Sequence, residues 1–297
     1  MTLPNFLIIG AAKSGTTSLY EYLKAHPQVY TSPIKEPKFF GLEGEQLNFQ
    51  GPDDAKANHT IITDIKTYQS LFQGVSNEIA IGEASPWYLY LQKAPVQIYK
   101  YVPQVKIIAI LRNPVDRAYS NFLHQCRFGA EPLSDFALAL REEKIRMQSN
   151  WRPFWHYKQL GFYYVQLKRY FELFDRSQIR IYLYEELCDR PLFLLKDIFQ
   201  FLGVDDRFVS DVSKKHNVTI IPKSHQSYTI HTQPNLISFI QRLLPNTINQ
   251  HHTNFKKSLV PLSLKVRKQL IAEYRVDVLQ LQELIQHDLS QWLTYDH

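Results

Sequence analysis

The chain has 297 residues, of which 44% are hydrophobic and 13% aromatic, enough for a packed core in one large or two small domains. A net charge of +6 suits an anionic ligand but is too small to indicate nucleic-acid binding. The two cysteines, Cys126 and Cys188, give neither a metal-site spacing nor a disulfide framework. Because no apolar stretch approaches membrane-spanning length and no charged leader begins the chain, we expect a cytoplasmic protein without a membrane span.

Short apolar runs and the amphipathic segments between them predict alternating strands and helices. The predicted strands are residues 6–9, 78–81, 105–111 and 178–184. The predicted helices are residues 14–24, 114–128, 135–148, 159–174, 192–201 and 262–289. This alternation indicates an α/β fold with a central parallel β-sheet flanked by helices. No linker interrupts the pattern, so we predict a single domain over residues 1–297.

The strand order along the chain also predicts where a ligand binds. Ligands of parallel sheets bind beyond the carboxyl ends of the strands, so the loops after Ile9, Ile81 and Leu111 are expected to share one cleft. Residues 41–58 are polar and are predicted to form a surface excursion. Residues 203–260 are loop-rich and are predicted to form a flap over the cleft. The apolar stripe of the last helix is expected to pack in the core.

The loop after the first strand is a phosphate-binding loop with a displaced lysine. Gly10 and Gly15 have the spacing of a P-loop, and Thr17 stands at its Ser/Thr position. This places the chain in the P-loop nucleotide-hydrolase-like fold class. Thr16, however, occupies the position where a kinase or ATPase has lysine, and the only lysine of the loop is Lys13. A loop that keeps the anion cradle but moves the cation is expected to bind a phosphosulfate rather than a triphosphate with Mg²⁺.

Several groups of this loop are predicted to face the anion. The following helix presents free backbone N–H groups and its positive dipole end. Ser14, Thr16 and Thr17 add hydroxyl donors, and Lys13 adds a point charge. The alternative is a plain strand-turn-helix in which the lysine is incidental.

A second anion site is predicted where the third predicted strand ends, at Arg112. Pro114 then suits the first turn of a helix, and Ser120 lies about two turns along it. The guanidinium of Arg112 offers a planar fork for a phosphate. Two neighbouring anion sites imply a ligand with two separated anionic groups. The alternative for Arg112 is a salt bridge with Asp116.

These two motifs together resemble those of sulfotransferases that use 3′-phosphoadenosine 5′-phosphosulfate (PAPS), and the heparan-sulfate-type and related bacterial enzymes are the most similar subgroup. The similarity continues through residues 161–163, 184–187, 201–204 and 288–292. It implies metal-independent transfer of a sulfuryl group to an acceptor hydroxyl, with adenosine 3′,5′-bisphosphate (PAP) as product. The residues it implies for nucleotide binding are Lys13, Ser14, Gly15, Thr16 and Thr17 at the 5′ end and Arg112 and Ser120 at the 3′ end.

Sulfuryl transfer also needs charge stabilisation and a base. Lys13 is the group expected to neutralise charge on the bridging oxygen. The resemblance implies Glu36 as the base, since a Lys-Glu pair followed by Phe-Phe recurs here. Alternatively, Glu36 pairs with Lys35 or Lys38 on the surface. His124, one turn after the serine of the second site, is the rival base or a structural histidine.

The sequence does not identify the acceptor. Residues 81–88 are expected to border its pocket, where heparan-type enzymes carry a lysine and this chain has Ala84. Glu83 either hydrogen-bonds the acceptor or ends the strand. A carbohydrate, a small lipid-like molecule and a carrier-bound acyl chain are all candidates. The aromatic segments at residues 87–88 and 151–155 could stack on sugars or enclose a lipid or polyketide chain. A P-loop small-molecule kinase and a catalytically inactive PAP- or PAPS-binding module are the alternative functions.

Overall fold

The computed structural model describes residues 2–214 and 262–295. Five short parallel strands form one sheet in the order β2-β3-β1-β4-β5. The strands are β1 (Phe6–Gly10), β2 (Val29–Thr31), β3 (Ala80–Ala84), β4 (Lys106–Leu111) and β5 (Ile179–Leu183).

The central position of β1 creates the crevice in which a ligand can bind. After β1 the chain forms β2 and β3 on one side of it and then β4 and β5 on the other. In the register, Ile8 lies beside both Ala84 and Ile108. The strand order therefore reverses at β1, and the crevice opens beyond its carboxyl end.

Helices cover both faces of the sheet. They are α1 (Thr16–Lys24), α2 (Phe39–Leu42), α3 (Asp54–Thr60), α4 (Ile65–Ser70), α5 (Ala94–Tyr101), α6 (Pro114–Arg127), α7 (Phe136–Gln148), α8 (Tyr163–Phe171), α9 (Tyr184–Asp189), α10 (Pro191–Leu202) and α11 (Leu264–Ile285). Short 3₁₀ turns lie at Pro153–Trp155, Gln159–Gly161, Arg176–Gln178 and Ser290–Leu293.

The side chains of the strands alternate between two hydrophobic cores. Leu7 and Ile9 of β1 belong to the core that includes residues of α6, α8 and α11. Phe6 and Ile8 face the other core, which includes residues of α1 and α10. This two-residue period is that of a strand buried on both faces, as in parallel sheets. The continuous apolar runs of the sequence therefore mark β1, β4 and β5 to within one residue at each end.

The α/β prediction is confirmed, with local corrections. The predicted strand at residues 78–81 begins two residues early, because β3 is Ala80–Ala84. The three-residue strand β2 was not predicted, and the predicted helix at residues 159–174 is a 3₁₀ turn followed by α8. The apolar stripe of α11 packs in the core as predicted, with its residues Leu270, Tyr274, Val278 and Leu281 buried.

The prediction of a surface excursion at residues 41–58 is wrong in part. Gly41 is buried in α2, and Asp54 is buried at the start of α3. The Asp54 carboxylate is compensated by the Arg152 guanidinium at 2.7 Å and accepts a hydrogen bond from the Arg152 amide. A paired charge can be buried where an unpaired one cannot, so polarity alone misplaced this segment.

Two further predictions involve residues that the structure does not describe. The predicted flap at residues 203–260 lies mostly outside them, and a single domain over residues 1–297 stays a prediction. Within residues 2–214 and 262–295, no helix has both the length and the apolar character needed to cross a bilayer.

Candidate active site

A cleft of about 690 Å³ opens at the carboxyl ends of the central strands. Its wall includes Lys13 after β1, Trp87 after β3 and Arg112 after β4. The predicted convergence of these three loops is therefore confirmed. The volume lies within the range of roughly 300–1,000 Å³ that is common for small-molecule sites.

The loop between β1 and α1 has the shape of an anion cradle. Lys13 and Gly15 both have positive φ values, 70° and 86°, which turn the chain sharply into α1. A Cβ on Gly15 would lie 2.6 Å from Leu187 Cδ2, so only glycine fits beneath α9. No side chain caps the N-terminus of α1, which leaves its first amides available to a ligand. The side chains of Thr16 and Thr17 also line the cleft.

Ser14 lies in the same loop and its side chain is fully buried. It is not among the residues that line the cleft. Its backbone N–H donates to the Ala11 carbonyl at 3.2 Å. Its Oγ has no hydrogen-bond partner among the described residues, and its contact with a ligand stays a prediction.

The side chains of Lys13 and His124 meet inside the cleft. Lys13 Nζ lies 3.1 Å from His124 Nδ1. Burial and then the positive charge of Lys13 lower the pKa of His124 to about 3, so the imidazole is neutral and its Nδ1 accepts from the ammonium. Burial and then repulsion from Arg112 lower the pKa of Lys13 to about 8. His124 thus orients Lys13, and the lone pair of its Nδ1 is occupied.

Arg112 and Ser120 open onto the same cleft. The Arg112 guanidinium donates to the Lys13 carbonyl at 3.2 Å and lies 4.6 Å from the centre of the Tyr184 ring. Asp116 pairs with Arg267 at 2.6 Å, so the alternative of an Arg112–Asp116 salt bridge is wrong. Ser120 is buried, and its Oγ has no hydrogen-bond partner among the described residues. A buried hydroxyl without a partner at a cleft wall is ready for a ligand.

Glu36 lies at the cleft wall between two lysines. Its carboxylate is 2.8 Å from Lys35 Nζ and 3.2 Å from Lys38 Nζ. Burial acts to raise the pKa of Glu36, but the ammonium groups of Lys38 and Lys35 outweigh it and lower the pKa to about 2. The predicted lysine pairing therefore occurs, and two of its members, Glu36 and Lys38, line the cleft.

The segment that carries Glu36 has an unusual backbone. Both Glu36 and Lys38 have φ values of 62°, in the left-handed region that non-glycine residues seldom adopt. The Glu36 amide donates to the Ala84 carbonyl at 3.0 Å, and the Lys38 amide donates to Ser85 Oγ at 3.0 Å. The end of β3 thus fixes a conformation that the sequence alone does not favour.

Aromatic side chains line two parts of the cleft, with Trp87 against Lys38 and with Phe128 and Phe154 against His124. Trp87, Phe128 and Phe154 line the cleft, and Lys38 Nζ lies 4.7 Å from the centre of the Trp87 ring. Glu83 is fully buried and absent from the cleft wall, so the alternative in which it contacts an acceptor is wrong. It lies within β3, where burial raises its pKa to about 7.

Sequence reasoning gave no role to several residues of the cleft. Tyr184 follows β5 directly, and the Arg112 guanidinium stacks on its ring. Its position at the carboxyl end of a predicted strand is a signal that could have identified it. Arg152 reaches the cleft from a segment distant in sequence, and Gln125 lines it from α6. No local pattern in the sequence indicates either of them.

No metal centre is evident in the part of the chain that the structure describes. There, no group of three or more His, Cys, Asp or Glu side chains could hold an ion. Cys126 and Cys188 are not joined in a disulfide. The pair His251-His252 lies outside the described residues.

Comparison with known proteins gives concordant matches. Residues 3–218 match the family model described as a sulfotransferase domain. The chain is 31% identical over 215 residues to the bifunctional heparan sulfate N-deacetylase/N-sulfotransferase 4 of Mus musculus, covering 69% of this chain and 23% of that protein. It is 28% identical over 248 residues to carbohydrate sulfotransferase 15 of Homo sapiens, covering 68% of this chain and 44% of that protein.

Among solved structures, a sulfotransferase from Alicyclobacillus acidocaldarius is similar over the whole chain. The TM-score is 0.79 with 34% sequence identity, covering 99% of this chain and 100% of that one. The chain spans less than half the length of the two mammalian relatives. From the family model and these similarities, we conclude that the chain belongs to the sulfotransferase family.

Proposed function

We propose that this protein transfers the sulfuryl group of PAPS to an acceptor hydroxyl. The observation that carries the proposal is that two sets of cationic and hydroxyl-bearing residues line one cleft: the loop of Lys13, and the pair Arg112 and Ser120. A nucleotide with phosphate groups at both ends of its ribose matches two such sites. A triphosphate, whose charges lie in one run, does not.

The residues present suit the bound nucleotide. Lys13, Gly15, Thr16 and Thr17 would hold its 5′ end through an ammonium group, two hydroxyls and the uncapped amides of α1. At the 3′ end, Arg112 would supply a guanidinium and Ser120 the hydroxyl that has no partner among the described residues. Ser14, whose Oγ has no partner among the described residues, would add a further hydroxyl donor within the loop. The positive charges of Lys13 and Arg112 repel each other, and a bound anion would offset this repulsion.

When bound, PAPS supplies the sulfuryl group, whose bond to the bridging phosphate oxygen breaks as a bond to the acceptor oxygen forms. Lys13 holds a positive charge where the leaving oxygen gains electrons. The hydrogen bond from Lys13 to neutral His124 limits where that ammonium can lie. We therefore assign His124 to positioning Lys13, because its Nδ1 is engaged and its pKa is about 3.

Glu36 would take the proton of the acceptor hydroxyl. A carboxylate with a pKa of about 2 is a weak base toward a free alcohol. An acceptor oxygen that is bonding to sulfur becomes strongly acidic, however, and a weak base then suffices. The two neighbouring lysines keep Glu36 ionised and aimed into the cleft.

A carbohydrate is the acceptor class that we favour. Two relatives are named for heparan sulfate and for carbohydrate, and Trp87 offers an aromatic face of the kind that stacks on a sugar ring. Phe128 and Phe154 extend an apolar wall that also suits a lipid-like or carrier-bound acyl acceptor. Ala84 departs from the heparan-type pattern, and this favours an acceptor other than heparan sulfate itself.

A labelled-donor screen tests the proposal. The full-length protein is incubated with [³⁵S]PAPS and sugars, phenols, lipids or hydroxyacyl carriers, with Glu36→Gln as a control that keeps the nucleotide-binding residues. We expect transfer to at least one carbohydrate and a loss of transfer in the control. PAP binding without transfer to any acceptor would indicate an inactive binding module, and Mg²⁺-dependent transfer from ATP would indicate a kinase.

A further inference from the structure

Gln125 is a buried amide side chain of the cleft wall to which the proposed mechanism gives no role. It lies on α6 directly after His124, and only 3% of its surface is exposed. It is among the residues that line the cleft, yet its Nε2 has no hydrogen-bond partner among the described residues. Most buried side-chain polar atoms in proteins have a partner, so this donor calls for one that the described residues do not supply.

The contacts of α6 place Gln125 beside an apolar part of the cleft. Asn121 lies one turn before it, and the Asn121 side-chain amide donates to the Phe154 carbonyl at 2.9 Å. Residues four apart share one face of a helix, so Gln125 is on the face that packs against the segment of Phe154. The Gln125 carbonyl also accepts from the Ala130 and Glu131 amides at 3.0 and 3.2 Å. Phe154 and Ala130 both line the cleft with Gln125.

The position of Gln125 along α6 separates it from the proposed nucleotide site. Ser120, which would hold the 3′-phosphate, lies five residues earlier, about 7.5 Å along the helix axis. His124 contacts Lys13, the residue proposed to lie beside the leaving oxygen. Gln125 follows His124 directly and is farther along the axis from Ser120. It therefore belongs to the part of the cleft that is left for the acceptor.

The chemistry of this donor restricts the group that can bind to it. A side-chain amide is uncharged, so in a buried position it pairs best with a neutral oxygen. A hydroxyl or a carbonyl oxygen meets this requirement, whereas a plain hydrocarbon chain would leave the donor unpaired. Among the acceptor classes, a carbohydrate carries several such oxygens next to any hydroxyl that reacts.

We propose that Gln125 is a specificity-determining residue of the acceptor site, and that its side-chain amide donates to a second oxygen of the acceptor, a hydroxyl or carbonyl near the hydroxyl that is sulfated. The inference rests on the proposed function and names a contact that selects which hydroxyl reaches Glu36.

One alternative partner for the donor lies within α6 itself. Asn121 Oδ1, one turn before Gln125, also has no partner among the described residues. A hydrogen bond between the two side-chain amides would satisfy both atoms and close the donor to a ligand. In that case Gln125 would have no effect on the choice of acceptor, so the two arrangements predict different results.

The experiment compares Gln125→Met with Gln166→Met as a matched control. Methionine keeps an unbranched stem of similar length but removes the amide. Gln166 is equally buried, with 3% of its surface exposed, and its Oε1 likewise has no partner among the described residues. It lies on α8 and is not among the residues that line the cleft. Thermal unfolding verifies that both variants fold, and calorimetry with PAP should give affinities within about twofold of the wild type.

The acceptors found in the screen are assayed together with analogues that each lack one hydroxyl or carbonyl group. In the wild type, one analogue should lose about tenfold in kcat/KM, because it leaves the Gln125 amide without its partner. In Gln125→Met, kcat/KM for the parent acceptor should fall by a similar factor, and that analogue should lose no more. Gln166→Met should keep the wild-type preference among the analogues. An unchanged kcat/KM in Gln125→Met, or losses that add for every analogue, would overturn the inference.

NMR tests the contact without turnover and without a variant. The ¹⁵N-labelled side-chain NH₂ signals of Gln125 in the wild type are followed as PAP is added, and then cellobiose or N,N′-diacetylchitobiose, which offer ring hydroxyls and acetamido carbonyls. We expect a disaccharide to shift these signals and PAP alone to leave them in place. A shift with PAP alone would assign the amide to the nucleotide, and no shift with either disaccharide would show that the donor is closed, so each would overturn the inference. If the wild type transfers no sulfuryl group, the proposed function fails, while these signals still decide whether Gln125 contacts a saccharide.

Discussion

Substitution of Lys13 by methionine removes the charge that the mechanism places beside the leaving oxygen. Lys13 has a φ of 70°, so a change between two non-glycine residues leaves the backbone strain the same. Methionine keeps an unbranched apolar stem in a partly buried position. The functional loss is then confined to the ammonium group and its hydrogen bond to His124.

The expected loss is larger for turnover than for binding. Removal of one preorganised donor to a developing negative charge lowers kcat by roughly 10²- to 10³-fold, about 2.7–4 kcal/mol of transition-state stabilisation. The nucleotide would keep its contacts to Arg112, Ser120 and the first amides of α1. The dissociation constant of PAP should therefore rise only by about tenfold, the usual effect of losing one charge-assisted hydrogen bond.

The pKa of Lys13 adds a second signature. Burial and then repulsion from Arg112 lower this pKa to about 8, so the side chain is charged below pH 8 and loses its proton as the pH rises. The value of kcat/KM for PAPS should therefore fall about tenfold per pH unit above pH 8. Lys13→Arg keeps its proton throughout, and this alkaline decline should be absent from it.

Steady-state transfer of ³⁵S to the acceptor measures kcat and KM, and calorimetry measures PAP binding. The wild type, Lys13→Met and Lys13→Arg are compared at several pH values. An unchanged kcat in Lys13→Met, or an alkaline decline that persists in Lys13→Arg, would refute the role of this lysine.

Three further substitutions test other parts of the structure. Arg112→Ala should abolish the preference for PAPS over adenosine 5′-phosphosulfate in competition binding, and a retained preference would mean that the 3′-phosphate binds elsewhere. Ser120→Ala should weaken PAP binding by about tenfold with no loss of thermal stability, because its Oγ has no partner among the described residues. Arg146→Met should lower the free energy of unfolding in urea by about 3–5 kcal/mol, since it leaves buried Glu131 without the cation at 2.7 Å. A urea midpoint within error of the wild type would contradict this last expectation.

The parts of the site that lie within one local segment were predictable from the sequence. The loop of Lys13 and Gly15 joins a strand directly to a helix, so the motif fixes its geometry. Arg112 follows β4 directly, and Ser120 lies on α6, the helix that comes next. Both residues therefore line the same cleft. The spacing of residues within these two segments was therefore enough to predict this part of the site.

Parts that depend on distant contacts were not predictable. Burial of Asp54 requires Arg152, which lies far along the chain, so the sequence shows only a polar segment. The burial of Glu83 follows from its place in β3, which continues three residues beyond the end of the strand predicted at residues 78–81. Burial and then the charge of Lys13 at 3.1 Å lower the pKa of His124 and keep it neutral, and both become known only when the fold brings α6 to the loop.

Competitive calorimetry with PAP, adenosine 5′-monophosphate, adenosine 3′-monophosphate and Mg²⁺-ATP tests most directly whether two anion sites hold one nucleotide. Loss of either phosphate should weaken binding by roughly 10- to 100-fold, and Arg112→Ala should weaken only the ligands that carry a 3′-phosphate. Equal affinity for PAP and adenosine 5′-monophosphate, or tighter binding of Mg²⁺-ATP than of PAP, would contradict the account.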